Sequence, residues 1–264
     1  MTQSERRNYL IDALLKEEIR FRKQRIPMEK EGQENLLRSL MNVRLPKPVS
    51  AEFLKIQDAY LQERNRERGI TDAAQLKPAA SDSRLCIWQG DITTLKCDAI
   101  VNACNAQMLG CFSPMHACID NFIHTYAGVE LRLKMNEIMT QQGHEEETGK
   151  AKITSGYNLP AKYILHTVGP IIRWEVTERD EELLASCYKE CLKLAADTGA
   201  ESIAFCCLST GVFRFPQQRA AEIAVRTVKQ FMEQDSRIKK VIFDVFQDKD
   251  LIIYRKLLKC DDEN

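Results

Sequence analysis

The chain has 264 residues, and its 38 basic and 38 acidic side chains balance to a formal charge of zero at neutral pH. This length predicts one large domain or one domain with an extension, and the 44% of apolar residues excludes a disordered chain. No apolar run approaches the ~18 residues of a membrane span, and the zero net charge argues against nucleic acid as the main partner. The N-terminus carries no apolar signal core, so we expect a cytoplasmic protein that binds neither membranes nor nucleic acid, with its ten cysteines reduced.

The first eighty residues differ in pattern from the rest of the chain. Leucine and isoleucine recur at helical spacing around positions 10–15, and leucine recurs again around 36–40, which predicts two helices. A third helix is predicted after Ser50, because a serine hydroxyl can accept a hydrogen bond from the first helical turn. Residues 72–83 are rich in Ala, Ser and Asp and indicate a linker. We therefore predict a helical N-terminal extension over residues 1–80 that contributes no catalytic group.

The second region, residues 84–264, alternates short apolar runs with amphipathic helices. Strands are predicted at 85–88, 99–101, 151–155, 163–168, 202–207 and 241–246, and helices at 114–141, 180–197, 216–233 and 248–259. The run at 202–207 is apolar on both sides, as expected for a strand whose sheet is covered by helices on both faces. This pattern predicts the α/β class, and in particular a three-layer α/β/α domain.

Ligands of such sheets bind beyond the carboxyl ends of the strands, so the strand-to-helix turns hold the candidate site residues. At the first turn, Asp91 could accept two hydrogen bonds from an amine or a ribose, although a turn or helix cap is the simpler interpretation. At the second turn, Asn102 and Asn105 follow a buried strand. Their amides suit sugar hydroxyls, and an ordinary turn is equally compatible with them.

A third turn follows the strand predicted at 202–207 and contains Ser209, Thr210 and Gly211. Small hydroxyl and glycine residues beside a helix N-terminus direct backbone N–H groups toward an anion such as phosphate. The segment matches neither a Walker motif nor a dinucleotide-binding fingerprint, which disfavours nucleotide hydrolysis and hydride transfer. An ordinary tight turn is the alternative.

The fourth turn places Cys111, His116 and Cys118 within eight residues, ahead of a helix that Pro114 could begin. Two thiolates and an imidazole are ligands that zinc prefers, and three protein ligands leave one coordination position open, as in catalytic zinc sites. The spacing therefore favours one zinc ion over three unrelated side chains, with chance as the alternative in a chain that has ten cysteines.

Two further polar residues follow the cysteines along the same predicted helix. Asp120 and His124 lie four residues apart and so share one face of that helix. Asp120 could orient His124 or act as a base, whereas an ordinary surface pair is the alternative interpretation.

Several collinear segments together resemble the macrodomain family of ADP-ribose binders and ADP-ribosyl hydrolases. They are GDIT at 90–93, DAIVNACN at 98–105, GYNLPAKYILHTVGP at 156–170, SIAF at 202–205, STGVF at 209–213 and VIFDVF at 241–246. The resemblance covers residues 84 to about 258 and implies a macrodomain with a mixed central sheet.

The resemblance also implies roles for residues along the cleft. The carboxylate of Asp91 and the backbone of Ile92 would bind adenine, and Phe246 would pack on its ring. Asn102 and Asn105 would contact the distal ribose. Backbone amides of one loop would hold the diphosphate, and the residues of that loop are Ser209, Thr210, Gly211, Val212 and Phe213.

The segment after the asparagines departs from the common family pattern, in which a glycine run leads to Val-Asp. Here Gly110 alone remains of that run, and a longer segment with cysteine and histidine precedes Asp120. This arrangement resembles the zinc-dependent subclass of bacterial and fungal macrodomains, which also carries a helical N-terminal extension. The resemblance implies one Zn2+ per chain, held by Cys111, His116 and Cys118, and hydrolysis of mono-ADP-ribose from protein side chains. More remotely, it implies a sirtuin-type ADP-ribosyltransferase and a lipoyl-carrier protein as partners.

The mechanism expected on this basis assigns the catalytic roles to Asn102 and Asp120. Asn102 would orient the distal ribose, and Asp120 would act as base or position water, so that an ester-like bond to an acidic side chain is cleaved. A non-catalytic ADP-ribose reader would have the same cleft without hydrolysis. A redox sensor would use the adjacent cysteines at 206–207 or those at 111 and 118, but adjacent cysteines in a buried strand are usually inert.

Overall fold

A computed structural model of the chain describes residues 1–21 and 23–260, so position 22 and the last four residues of the predicted domain 84–264 lie outside the described residues. The helices of the described part are α1 Gln3–Glu17, α2 Lys30–Val43, α3 Ala51–Glu67, α4 Ile119–Ala127, α5 Val129–Gln142, α6 Glu178–Asp197, α7 Gln217–Gln234 and α8 Asp248–Leu258. Its strands are β1 Thr71–Asp72, β2 Pro78–Ala79, β3 Asp82–Gln89, β4 Leu95–Lys96, β5 Ala99–Cys104, β6 Ala151–Ser155, β7 Tyr163–Val168, β8 Ser202–Phe205 and β9 Lys240–Val245.

Seven of these strands form one mixed sheet in the order β2-β3-β9-β8-β5-β7-β6. The five central strands run parallel to one another, and they are β3, β9, β8, β5 and β7. The two edge strands, β2 and β6, pair antiparallel with their neighbours. The carboxyl ends of the five parallel strands therefore lie along one edge of the sheet. The predicted α/β class and the mixed central sheet are confirmed.

Helices flank this sheet and complete the three-layer arrangement. Helix α6 packs against β6, β7 and α7, while α7 also packs against α8, and α4 packs against β5 and α5. Apolar residues on both sides of the central strands are buried, as at Ile203, Ala204 and Phe205 in β8. Tyr188 of α6 packs on the Phe205 ring with centroids 4.8 Å apart. Burial on both faces explains why these strands are continuous apolar runs in the sequence.

The three N-terminal helices form a second hydrophobic core, as their leucine spacing predicts. Leu10, Leu37 and Phe53 are buried in it together with Val129, the first residue of α5. The predicted cap of α3 is confirmed, since the Ser50 hydroxyl accepts a hydrogen bond from the Phe53 N–H at 3.1 Å. The N-terminal helices are thereby packed onto the helices that follow β5, close to the carboxyl ends of the strands.

The single helix predicted at 114–141 is wrong. The chain from Pro114 to Ala117 is not helical, α4 begins after Cys118, and a break at Gly128 separates it from α5. The Gln57 side chain of α3 lies against this break, and its Oε1 accepts a hydrogen bond from the Val129 N–H at 2.9 Å. A residue of the N-terminal region therefore contacts the break, and helical periodicity within 114–141 does not reveal this contact.

The linker predicted at 72–83 is also wrong. Strand β1 pairs with β4 in a small parallel sheet, and β2 pairs with β3 at the edge of the large one. Strands of two residues have too few side chains for an alternating pattern, so composition alone suggested a loop. The division into regions 1–80 and 84–264 stays a prediction. Among the described residues, no helix is long and apolar enough to span a membrane.

Candidate active site

A cleft of about 510 Å³ opens along the carboxyl ends of the parallel strands. This is where the sequence predicted the site, because strand ends in an open α/β sheet leave room between the following loops. Of the predicted residues, the following line the cleft: Asp91, Ile92, Asn105, Cys111, His116, Cys118, Asp120, Ser209, Thr210, Gly211, Val212, Phe213 and Phe246. Asn102 is fully buried on β5 and is not part of the lining.

At one end of the cleft, Asp91 follows β3 and forms the N-cap of a short 3-10 turn at Ile92–Thr94. Its Oδ1 accepts hydrogen bonds from the Thr93 N–H at 3.0 Å and from the Thr93 hydroxyl at 2.6 Å. The cap interpretation is therefore confirmed for Asp91, and its contact with adenine stays a prediction. Phe246, at the end of β9, is 80% exposed and offers an uncovered aromatic face to the same end of the cleft.

Arg68, at the C-terminal end of α3, reaches this end of the cleft from the N-terminal region. Its guanidinium donates hydrogen bonds to Asp91 Oδ2 and, at 2.8 Å, to the Thr93 hydroxyl. It also lies 3.4 Å from the centroid of the Tyr126 ring. Arg68 thus holds the Asp91 carboxylate in one orientation, with the planar fork and cation–π contact that suit arginine better than lysine.

The loop after β8 forms the next part of the cleft wall. Ser209 is buried and adopts φ +62°, and the Phe215 N–H donates to its carbonyl at 2.9 Å. The Thr210 hydroxyl donates to the Cys207 carbonyl at 3.1 Å, and the Ile172 N–H donates to the Phe213 carbonyl at 2.8 Å. A left-handed non-glycine residue is held only where its surroundings constrain it, and such residues cluster at ligand-binding loops.

Asn105 closes a turn at the end of β5. Its Oδ1 accepts hydrogen bonds from the backbone N–H groups of Gln107 and Met108, at 3.0 and 3.2 Å, and its Nδ2 donates to the Gly110 carbonyl at 3.3 Å. The turn interpretation of Asn105 is confirmed, and its contact with a ribose stays a prediction.

At the other end of the cleft, the predicted zinc ligands lie together. The ligand atoms of Cys111, His116 and Cys118 are all within 4.8 Å of one another, and Cys111 Sγ is 3.6 Å from His116 Nδ1. Zinc bonds of about 2.3 Å to sulfur and about 2.0–2.1 Å to nitrogen, at tetrahedral angles, would separate those two atoms by about 3.6 Å. The separation of Cys111 and His116 therefore fits a zinc ion, and Cys118 lies close enough to offer a third ligand.

Three cysteines around the cleft share a raised pKa but differ in their neighbours. Burial raises the pKa of the Cys206 thiol to about 12 and that of Cys207 well above its usual range. Burial also raises the pKa of the Cys118 thiol to about 12, but here a second thiol and an imidazole offer a shared cation site. Thiols kept protonated by burial are poor nucleophiles and redox centres, which disfavours the redox alternative for the pair at 206–207.

Asp120 lies on α4, two residues beyond Cys118, and is buried at the base of the cleft. Its Oδ1 accepts a hydrogen bond from Asn102 Nδ2 at 2.8 Å and lies 3.5 Å from His124 Nε2. Burial raises the pKa of Asp120 to about 6 and lowers the pKa of His124 well below its usual range. The interpretation of Asp120 and His124 as a surface pair is wrong, since both are only 4% exposed.

Asn102 connects Asp120 to a buried histidine on the neighbouring strand β7. Asn102 Nδ2 lies 3.2 Å from His166 Nδ1, and His166 Nε2 lies 2.9 Å from the Thr154 hydroxyl. Burial lowers the pKa of His166 to about 3, so the ring is neutral. Because an amide NH2 group is a donor, His166 Nδ1 accepts from Asn102, and its Nε2–H donates to Thr154. This chain of hydrogen bonds orients the amide that holds Asp120.

Comparison with known proteins agrees with this geometry. Residues 101–224 match the Macro domain family. The chain is 56% identical over 260 residues to a protein-ADP-ribose hydrolase of Treponema medium. The alignment covers 98% of this chain and all of that protein. The chain is also 54% identical over 239 residues to a protein-ADP-ribose hydrolase of Staphylococcus aureus, covering 90% of this chain and 89% of that protein. The chain belongs to the macro domain family.

A solved macro domain also shares the fold. The Trypanosoma brucei macrodomain in complex with ADP-ribose superposes with a TM-score of 0.65 at 30% identity, over 83% of this chain and 94% of that chain. The ligand bound in that structure is ADP-ribose.

Several residues that shape the site of this macro domain were absent from the sequence predictions. Arg38, Arg68 and His166 contact the predicted residues His116, Asp91 and Asn102 from other elements of the fold. Asn121 and Thr154 contact Arg38 and His166 in turn. Arginine and asparagine on a polar helix face are ordinary surface residues by pattern, and their partners are more than twenty residues away in sequence. His166 lies in the family-like segment at 156–170, which is the one signal that could have singled it out.

Proposed function

We propose that this macro domain is a zinc-dependent hydrolase that removes mono-ADP-ribose from modified protein side chains. The observation that carries the proposal is the Cys111, His116 and Cys118 cluster on the wall of the cleft, two residues from the buried Asp120. A reader module needs the cleft alone, whereas an open three-ligand metal site beside a carboxylate is a catalytic arrangement. The two close relatives, both called protein-ADP-ribose hydrolases, support the activity.

In this proposal the ligand lies along the cleft from Phe246 to the cysteine cluster. Asp91 and the Ile92 backbone bind the adenine, whose ring packs on Phe246. Backbone amides of the loop at 209–213 hold the diphosphate. These contacts are remote from the bond that breaks, so their binding energy fixes the distal ribose at the reactive end of the cleft.

The distal ribose then lies between Asn105 and Asp120. Zn2+ held by the two cysteines and the histidine would supply Lewis-acid chemistry at its open coordination position. Asn102 holds Asp120 Oδ1, which leaves Oδ2 to orient the attacking water toward C1 of the ribose and to accept its proton. The bond from C1 to the oxygen of an acidic side chain breaks, and free ADP-ribose and the unmodified carboxylate leave. An ester-type linkage is proposed because a carboxylate is a good leaving group.

The decisive experiment incubates the full chain with a protein that carries mono-ADP-ribose on glutamate and measures the release of free ADP-ribose and the bound zinc. Cys118→Ala is expected to lose both zinc and turnover while ADP-ribose still binds. Cys260→Ala is the matched control, because Cys260 is a partly exposed thiol outside the cleft lining. Its zinc content and its rate are expected to equal those of the wild type.

Other outcomes would favour other functions. Turnover by a Cys118→Ala protein free of metal would refute zinc dependence. Tight binding of ADP-ribose without release from any modified protein would favour the non-catalytic reader. Release from serine-linked or arginine-linked substrates but not from the glutamate-linked one would refute the ester linkage. The sirtuin-type transferase and the lipoyl-carrier protein stay predictions from the resemblance, and that carrier, once modified, is a natural substrate to compare.

A further inference from the structure

We infer that Arg38 of helix α2 is a positioning residue for the metal ligands, so that the helical N-terminal region is a working part of the active site. This inference rests on the proposed metal site. The sequence alone predicted that the N-terminal region contributes no catalytic group. In this inference the region instead helps to hold the metal ligands in position.

Arg38 makes direct contact with the loop that carries the cluster. Its Nη2 donates a hydrogen bond to the backbone carbonyl of His116 at 2.9 Å. Its Nε and Nη2 also donate to Asn121 Oδ1, at 3.1 and 2.7 Å. The guanidinium carbon lies 4.2 Å from the centroid of the Phe122 ring, which lines the cleft. One side chain of α2 thus holds the backbone of a metal ligand and two residues of α4.

Asn121 extends this contact to a second point of the loop. Its side chain is fully buried, and its Nδ2 donates to the Ser113 carbonyl at 2.7 Å. Its Oδ1 accepts from Arg38 and also from Asn42 Nδ2, at 3.2 Å, so its amide orientation is set by residues of α2. The loop is therefore anchored at Ser113 and at His116, and the former lies between two of the ligands.

A second arginine joins the end of α2 to the beginning of the same loop. Arg132 Nη1 donates to the carbonyls of Met41, Asn42 and Arg44, at 3.0, 2.8 and 2.7 Å. Its Nε donates to the Leu109 carbonyl at 2.7 Å, and its guanidinium lies 4.4 Å from the Phe112 ring centroid. The loop is thus connected to α2 at Leu109, before the first ligand Cys111, as well as at His116, shortly before α4 begins.

These anchors matter because the loop has little regular structure of its own. Residues 110–117 form no helix or strand, and His116 is exposed. Metal ligands need to be held within about 0.5 Å of their working geometry, and partners that orient ligands typically change metal affinity 10–100-fold when they are removed. Arg38 is suited to this role because its planar fork bonds two acceptors at once, which a lysine does not reproduce.

The test uses the full chain, freed of metal by a chelator and titrated with Co2+ alone. Cobalt reports the site through its visible absorption, since thiolate charge-transfer bands and ligand-field bands depend on ligand identity and geometry. Arg38→Gln is expected to bind Co2+ about 10–100-fold more weakly and with altered ligand-field bands. Arg38→Lys is expected to fall between Arg38→Gln and the wild type. Arg64→Gln is the matched control, because Arg64 pairs with Glu34 and Glu67 within the N-terminal helices.

The outcomes separate this inference from the proposed function. Equal Co2+ affinity and equal spectra for the wild type, Arg38→Gln and Arg64→Gln would overturn the role of Arg38 and leave the metal site intact. A wild-type chain that binds no Co2+ would overturn the metal site and this inference with it. Equal weakening by Arg64→Gln would show a general effect of loosening the helices and would also overturn the role of Arg38. If Arg38→Gln does not unfold cooperatively in urea, Arg38→Lys carries the comparison.

Discussion

Gly110 lies between β5 and the loop that carries Cys111 and His116. Adding one methyl group at this position should measurably lower the free energy of unfolding. Gly110 adopts φ +84°, and a Cβ built there would lie 2.8–2.9 Å from three ring atoms of His124. His124 is only 4% exposed and lies 3.5 Å from Asp120, so its ring has little room to move away. Gly110→Ala therefore combines an unfavourable backbone conformation with a steric clash.

Gly143, the C-terminal cap of α5, separates these two effects. It adopts φ +77°, and nothing lies within 4 Å of a Cβ built there. Placing alanine in the left-handed region costs about 1–2 kcal/mol at either position. Overpacking against the buried ring adds about 1–3 kcal/mol at position 110 alone. We expect Gly110→Ala to lose about 2–5 kcal/mol of unfolding free energy and Gly143→Ala about 1–2 kcal/mol.

The assay is equilibrium urea unfolding of the wild type and both variants, with a chelator present so that metal binding adds no stability. The quantity that decides is the difference between the two variants, because the backbone cost cancels in it. Equal destabilisation of Gly110→Ala and Gly143→Ala would refute the close approach of Gly110 to His124.

Two further predictions concern the end of the cleft at Asp91. Arg68→Ala is expected to weaken ADP-ribose binding about 5-fold, roughly 1 kcal/mol for a partly exposed charge pair, because Asp91 loses the group that orients it. Isothermal titration calorimetry measures this loss, with Arg66→Ala as an exposed control on the same helix, and an unchanged affinity for Arg68→Ala would contradict it. Burial, helped by the charge of Asp91, raises the pKa of Asp244 well above its usual range, so the folded state holds this proton more tightly than the unfolded chain does. The contribution of Asp244 to the stability of the wild type is therefore lost as pH rises above about 4, by up to about 1.4 kcal/mol per pH unit, until the folded-state pKa is passed. Asp244→Asn removes this loss, so its advantage in unfolding free energy should grow with pH over that window, and a difference that stays constant from acid to neutral pH would disprove the assignment.

The parts of the fold that follow from local pattern were predictable from the sequence. The strands at 151–155 and 163–168 have the predicted bounds, because several alternating or continuous apolar residues mark each of them. The cluster of two cysteines and a histidine was predicted because the three residues lie within eight positions of one another, a distance over which the chain itself brings side chains together. The cleft at the strand ends was predicted from the order of strands and helices alone.

The remaining features depend on contacts between distant segments. The spacing of Asp120 and His124 places them on one helix face wherever the helix lies in the fold. They are buried because that face packs against β5 and the N-terminal helices. Arg38 lies 83 positions before Asn121, Arg68 lies 23 positions before Asp91, and Asn102 lies 64 positions before His166. Periodicity records which face of an element is apolar, whereas the partner of a polar side chain is set by how elements are arranged in space. The sequence by itself therefore determined the layers, the cleft and the local cluster of cysteines and histidine, and only the tertiary structure decided which residues hold them in place.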